Sequence, residues 1–284
     1  MNLQLLDFLN CHEKLAVLSG AGCSTASGIP DYRADDGSWK HARPVQFRDF
    51  VDNSAIRRRY WARSFAGWER IRSARPNAAH RALAVLEQAG RIDCLITQNI
   101  DNLHRLAGSA SVIDLHGVLG RVRCLDCGIE DNRSSYQAML QAANPDFCAA
   151  IEGIAPDGDA HLVSGDIDRF AVPPCTRCGG MIKPDVVFFG EAVPKDRVAA
   201  ASDAINNADA LLVVGSSLQV FSGFRFVRQA HALRKPVAIL NRGVTRADDL
   251  ATLRLREDCC AVLEGVTRAL QNDGITNRNS RVSA

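Results

Sequence analysis

Short apolar runs recur along the chain as KLAVLS (14–19), IDCLIT (92–97), SVIDL (111–115), DVVFF (185–189), ALLVV (210–214) and PVAIL (236–240). Several are continuous rather than alternating, as expected of strands covered on both faces of a parallel sheet. Helix-like segments separate them. In PNAAHRALAVLEQAG (76–90), Asn77 can cap, Ala79, Leu83 and Leu86 share one face, and Gly90 stops the helix. Strands alternating with helices predict an α/β fold, a Rossmann-like doubly wound parallel sheet whose ligands bind outside the carboxyl ends of the strands.

Two stretches break the alternation. Residues 34–75 are rich in Arg and aromatic residues and read as helices, while residues 118–180 carry two CxxC pairs around a polar middle. Both are assigned to a smaller zinc-binding and helical domain inserted in the sheet. The large part then comprises 1–33, 76–117 and 181–272, within a single unit spanning 1–284. The last residues, NDGITNRNSRVSA, are expected to fray.

Hydrophobic content of 46%, charged content of 23% and a net charge of +2 are ordinary for a globular chain. They offer no electrostatic reason for a nucleic-acid or membrane partner, and no apolar run approaches the ~18–20 residues of a membrane span. The start, MNLQLLDFLN, lacks the features of a signal peptide or presequence, so the chain is expected in the cytoplasm. Ten cysteines in such a chain point to metal binding or free thiols rather than disulfides.

Four of them are paired by spacing. Cys124 and Cys127, with Cys175 and Cys178, can form two knuckles around one tetrahedral Zn²⁺, a closed S₄ site and therefore structural. A redox CxxC would explain one pair but not two. The other chemistry gathers at predicted strand ends. After the first run comes GAGCSTASGIPDYR (20–33), where glycines 20 and 22 let the backbone approach a pyrophosphate, although Thr25 stands where a third fingerprint glycine would be. After the second comes TQNIDNLH (97–104), after the third His116-Gly117, after the fifth GSS (215–217), and after the sixth NRG (241–243). A GxG is often only a turn, and a lone histidine is often structural. Their convergence on one side of a sheet is what suggests a site.

These motifs, with KPDVVFFGE (183–191) and GSSLQV (215–220), resemble the sirtuins, NAD-dependent protein lysine deacylases, in the same order from about residue 14 to about residue 265. YWARSFAGW, RVRCLDCG and SLQVFSGFRF resemble the class II branch, which includes mitochondrial lipoamidase-type members. Where sirtuins usually carry a proline after GSSLxV, Phe221, Ser222 and Gly223 stand here.

The resemblance implies that NAD is consumed as a co-substrate, the acyl group passing from lysine to ADP-ribose with release of nicotinamide. It implies that His116 is the general base and that Asn99 acts beside it at the nicotinamide ribose. NAD contacts would come from Gly20, Ala21, Gly22, Ser24, Asp31 and Arg33, from Gln98, Asn99, Ile100 and Asp101, from Gly215, Ser216 and Ser217, from Asn241, Arg242 and Gly243, and from Cys259. Acyl-lysine proteins or peptides would enter as an extended strand between Val187, Phe188, Phe189 and the segment around Gly223. Tyr60 and Arg63 have the YxxR spacing that reads acidic acyl groups in desuccinylating sirtuins; the plainer alternative packs Tyr60 and sends Arg63 to solvent. Mono-ADP-ribosyl transfer from the same NAD site is the competing activity. A zinc adaptor with an idle nucleotide site would leave His116 and Asn99 without a task.

Overall fold

The computed structural model describes residues 2–40 and 44–272. Five of the apolar runs form strands of one six-stranded sheet: Leu15–Ser19 (β1), Ile92–Thr97 (β2), Val112–Asp114 (β3), Ala210–Val214 (β9) and Val237–Leu240 (β10), joined by Leu253–Leu255 (β11). All neighbours are parallel, in the order β11-β10-β9-β1-β2-β3. The order reverses between β1 and β9, the place where open α/β sheets bind ligands.

The continuous apolar character of β1 follows from the pleat. Leu15 and Val17 point to one face, against Leu3–Cys11 (α1), Ala78–Gln88 (α4) and Cys259–Asn272 (α9). Ala16 and Leu18 point to the other, against Lys195–Asn207 (α7) and Phe221–Ala232 (α8). Both faces are covered, so every position is apolar. Helix α4 is capped as expected: the Asn77 side chain accepts from the amides of Ala79 and His80, and His80 answers with Nδ1 on the Asn77 amide. Ala79, Leu83 and Leu86 are buried on its inner face, and Gly90 follows its end in the left-handed region at φ 71°.

The smaller region has its own core. Gly117–Cys124 (β4), Glu130–Asn132 (β5) and Ile182–Val186 (β8) make an antiparallel sheet in the order β5-β4-β8, and Ile151–Ile154 (β6) pairs with Ala160–Leu162 (β7) as a hairpin. Phe47–Asp52 (α2), Ser54–Ser73 (α3) and Arg133–Ala143 (α6) pack on these strands, with Trp61 fully buried. The short helix Leu103–Leu106 (α5) follows β2.

Three expectations change. The run at 185–189 is not a strand of the parallel sheet; β8 stops at Val186 and belongs to the small sheet, so residues 182–186 leave the large part to which they were assigned. Pro184 can lie there because β8 is an edge strand, where the missing amide breaks no central ladder. The sixth parallel strand is β11, three residues that are too few to show a period. Among the described residues of 34–75, helix covers only α2 and α3; Arg33 and Trp39 bridge across a turn before them. Of the tail expected to fray, Asn272 ends α9 and the rest lies outside the described residues.

Candidate active site

The glycine loop and the GSS turn meet at the switch point between β1 and β9. The Gly20 amide donates to Val214 O at 3.0 Å and the Gly22 amide to Gly215 O at 2.8 Å. A Cβ on Gly20 would sit 2.7 Å from Ser216 Cβ, and one on Gly215 would strike the Cys23 amide nitrogen. Glycine is required at both positions because the two loops touch through their backbones. The Asn77 amide group ties the loop from below by donating to Cys23 O at 2.8 Å.

Residues 98–101 close this end with a mutual network. Gln98 Nε2 donates to Ser216 Oγ at 2.8 Å, and Asn99 Nδ2 donates to Gly20 O at 3.1 Å and to Ser24 Oγ at 3.0 Å. Ser24 in turn donates to Asp101 at 2.6 Å, whose other oxygen accepts from the Leu103 amide. Burial raises the Asp101 carboxyl above its ordinary value, opposed by these two hydrogen bonds.

His116 lies in the same cleft. Its Nδ1 is 2.9 Å from Gln98 O and its Nε2 is 2.8 Å from Ser222 Oγ. A carbonyl oxygen only accepts, so the proton sits on Nδ1 and Nε2 carries the lone pair. Burial pushes the imidazole down to about 4, against the raising effect of the Gln98 carbonyl and with a smaller lowering by Arg197. The ring is therefore a neutral base near pH 7.

The cleft, about 820 Å³, continues between sheet and small region. Arg33, Asp31, Ile100, Ser217, Asn241, Arg242, Gly243 and Cys259 all line it. Arg33 is held by its cation over the Trp39 ring at 3.9 Å and by donation to Gly37 O, Asp31 pairs with Lys40 at 2.7 Å, and Arg242 pairs with Asp258 at 2.8 Å. Cys259 starts α9, and its Sγ lies 3.6 Å from Gly22 O. Cys23 is fully buried and packs in the core.

The far end of the cleft is apolar, walled by Tyr60, Ile71, Leu119, Pro156 and Phe188, with the Asp157 carboxyl among them. Tyr60 packs edge-on against Phe50 and within 5.1 Å of the Phe188 ring. Arg63 turns away from this wall: it donates to Ala160 O at 3.0 Å and approaches Asp159 at 3.8 Å. It is not among the residues that line the cleft, and the β6–β7 hairpin folds over it. Val187, Phe188 and Phe189 flank the cleft. Gly223 sits inside α8, where a Cβ would strike the Gln98 side chain.

Sequence reasoning missed Asp157 and Ser222. Asp157 sits in the insert between the cysteine pairs, where nothing local marks it. Ser222 lies within a motif already singled out, where the departure from proline was the available signal.

The Sir2 family model matches residues 20–222. The chain belongs to the Sir2 family. A relative of this Sir2 chain, the NAD-dependent protein deacetylase 2 of Bradyrhizobium diazoefficiens, is 55% identical over 262 residues, covering 92% of this chain and 96% of its own. The mitochondrial NAD-dependent protein lipoamidase sirtuin-4 of Bos taurus is 48% identical over 263 residues, 92% of this chain and 84% of its own. A solved Sir2 structure with a p53 peptide and NAD⁺ is 30% identical, with a TM-score of 0.77 over 97% of this chain and 100% of that one.

The Sir2 chain also carries the cysteine cluster that its spacing predicted. The four sulfurs of Cys124, Cys127, Cys175 and Cys178 lie within 4.8 Å of one another, with Cys124 and Cys178 at 3.5 Å and Cys127 and Cys175 at 3.8 Å. A tetrahedron with Zn–S bonds of ~2.3 Å has S···S edges of ~3.8 Å, so the donor set fits one zinc ion and leaves no open position. Gly128 and Gly179, both with positive φ, turn the two knuckles, and their amides donate to Cys124 O and Cys175 O. This zinc would brace β4 and the turn into β8.

Proposed function

We propose that this chain is an NAD-dependent protein lysine deacylase, with acetyl-lysine among its substrates, in which His116 is the general base. The observation that carries the reading is the placement of His116: its Nδ1 lies 2.9 Å from Gln98 O, which leaves the lone pair on Nε2, in the cleft that Asn99 and Asp101 also line. NAD, consumed as co-substrate, supplies the ribose that takes the acyl group as nicotinamide leaves. Gly20, Ala21, Gly22 and Gly215 bring backbone close to its phosphates, and Ser216, Asn241 and Cys259 lie on the adenosine side. Gln98, Asn99 and Asp101 orient the nicotinamide ribose and exclude water from it. His116 Nε2 is the base that takes up the charge of the proton lost by the ribose hydroxyl.

The acyl-lysine enters beside Val187–Phe189. Its acyl group meets the apolar wall of Tyr60, Ile71, Leu119 and Phe188. Asp157 there disfavours an anionic acyl group, and Arg63 is already committed to the hairpin, so uncharged acyl groups are the preferred class. Four thiolates close enough to hold zinc need a compartment that keeps them reduced, which supports a cytoplasmic site of action. Among the described residues no helix is long and apolar enough to cross a membrane.

The test is mass spectrometry on one lysine peptide carrying acetyl, lipoyl, long-chain or succinyl groups in turn, with and without NAD. NAD-dependent loss of the acyl group with formation of acyl-ADP-ribose is expected. NAD consumption with ADP-ribose added to protein, and no acyl loss, would replace this reading with ADP-ribosyl transfer.

A further inference from the structure

His116 Nε2 carries the only lone pair of that ring, because Nδ1 must hold its proton toward Gln98 O. That lone pair is already engaged. Ser222 Oγ lies 2.8 Å away, and since Nε2 can only accept, the Ser222 hydroxyl donates to it. Ser222 lines the same cleft as His116, and a hydroxyl that donates one proton still has lone pairs to accept another. A substrate hydroxyl can therefore reach the base by evicting Ser222 or by passing its proton through it.

The surroundings favour passage. Ser222 is in the first turn of α8, and α8 closes on Gln98 because its next residue is Gly223, where any Cβ would collide with the Gln98 side chain. Gln98 in turn holds His116 Nδ1 through its carbonyl, and its side-chain amide is anchored on Ser19 O and Ser216 Oγ. Leu218, buried and in the left-handed region at φ 57°, sets the turn that leads into the helix. Gln98, His116, Ser222 and Gly223 thus form one closed ring of contacts. Eviction would break a hydrogen bond inside it, whereas a relay moves only protons.

We propose that Ser222 is a further catalytic residue, relaying the proton from the ribose hydroxyl to His116. This rests on the proposed role of His116 as base. The ribose O–H bond breaks with its proton going to Ser222 Oγ, the Ser222 proton moves to His116 Nε2, and the ribose oxygen bonds to the acyl carbon as that carbon's π bond opens onto its heteroatom. His116 becomes an imidazolium with Nδ1–H still on Gln98 O. As the bond from the acyl carbon to the lysine nitrogen breaks, the departing amine takes the proton held on His116, which resets both groups, and no oxidant, reductant or further reactant is needed.

The experiment compares wild type, Ser222→Ala, Ser222→Thr and His116→Ala as full chains in two assays. Single-turnover acyl transfer reads the step that needs the base; exchange of labelled nicotinamide into NAD, with acyl peptide present, reads the earlier cleavage. Ser222→Ala is expected to slow transfer about 10- to 100-fold. Its exchange should stay within about twofold of wild type, and Ser222→Thr should restore transfer. A proton inventory in H₂O/D₂O mixtures should be curved for wild type and straight for Ser222→Ala. Transfer at wild-type rate or faster in Ser222→Ala would overturn the relay, as would parallel loss of exchange, which marks a structural role. If His116→Ala transfers normally while wild type deacylates, the failure lies in the reading of the base, and the relay falls with it.

Discussion

The two ends of the cleft are built on different principles. The cofactor end joins short contiguous motifs at the carboxyl ends of parallel strands, and its polar groups satisfy one another: Gln98 with Ser216, Asn99 with Gly20 and Ser24, Ser24 with Asp101. The acyl end is assembled from α3, β4, the β6–β7 hairpin and the segment after β8, and it buries carboxylates instead of saturating them. Burial raises Asp157 and, more strongly, Asp159, whose carboxyls also repel each other. A polar network holds the side chains of the first end in place; the second sets an apolar wall around buried acid.

The severest way to break that comparison is to remove the brace of the acyl end. Cys124→Ser leaves three thiolates for a metal that needs four, so zinc content per chain, near-ultraviolet circular dichroism and acyl transfer should all be lost together. His116→Ala strikes the cofactor end alone. It should lower acyl transfer by about 10²- to 10⁴-fold while the melting transition stays cooperative.

The pH dependence sharpens the contrast. His116 stays neutral until the pH falls toward about 4, so kcat/KM should show no inflection near the ordinary histidine value and should fall only under more acidic conditions. The same burial has a stability sign. His80 and His116 are pushed down to about 4 and His104 to about 3, so the unfolded chain binds more protons. Stability from these groups is complete above ~6.5 and erodes as the pH falls through the folded values, by about 3 kcal/mol for each group shifted to about 4. The raised carboxyls of Asp101, Asp157 and Asp159 act in the opposite direction. Urea titrations at several pH values would read the balance.

Smaller effects belong to the acyl end. Asp157→Asn should raise the ratio of desuccinylation to deacetylation, measured as kcat/KM, by about tenfold, or roughly 1.4 kcal/mol. Arg63→Ala should leave that ratio unchanged, since the guanidinium is bound to Ala160 O and near Asp159, and should lower stability by about 1–3 kcal/mol through the carboxyl it abandons. A collapse of succinyl turnover in Arg63→Ala would mean that the hairpin releases the arginine to the substrate.

Legibility followed the same division. TQNIDNLH, the glycine loop, GSS and NRG could be placed because each is contiguous and follows a strand whose apolar run declares it. The cysteine knuckles were equally open, since metal geometry constrains spacing. Tyr60 and Arg63 were not: a one-turn helical spacing says that two side chains share a face, and here Tyr60 faces the cleft while Arg63 meets the hairpin. The helical setting of Gly223 was hidden as well, because its motif is short and α8 begins only two residues before it.

By itself, then, the sequence determined the parallel sheet, the strand ends that carry polar chemistry, and the four-cysteine knuckles, all properties of neighbours within a few residues. Tertiary structure alone decided that β8 pairs with β4, that Asp157 enters the cleft, that Arg63 leaves it, and that Ser222 meets His116 across 106 positions of chain. Such contacts depend on how whole elements pack, and local periodicity carries no record of which distant side chain will fill a given hydrogen bond.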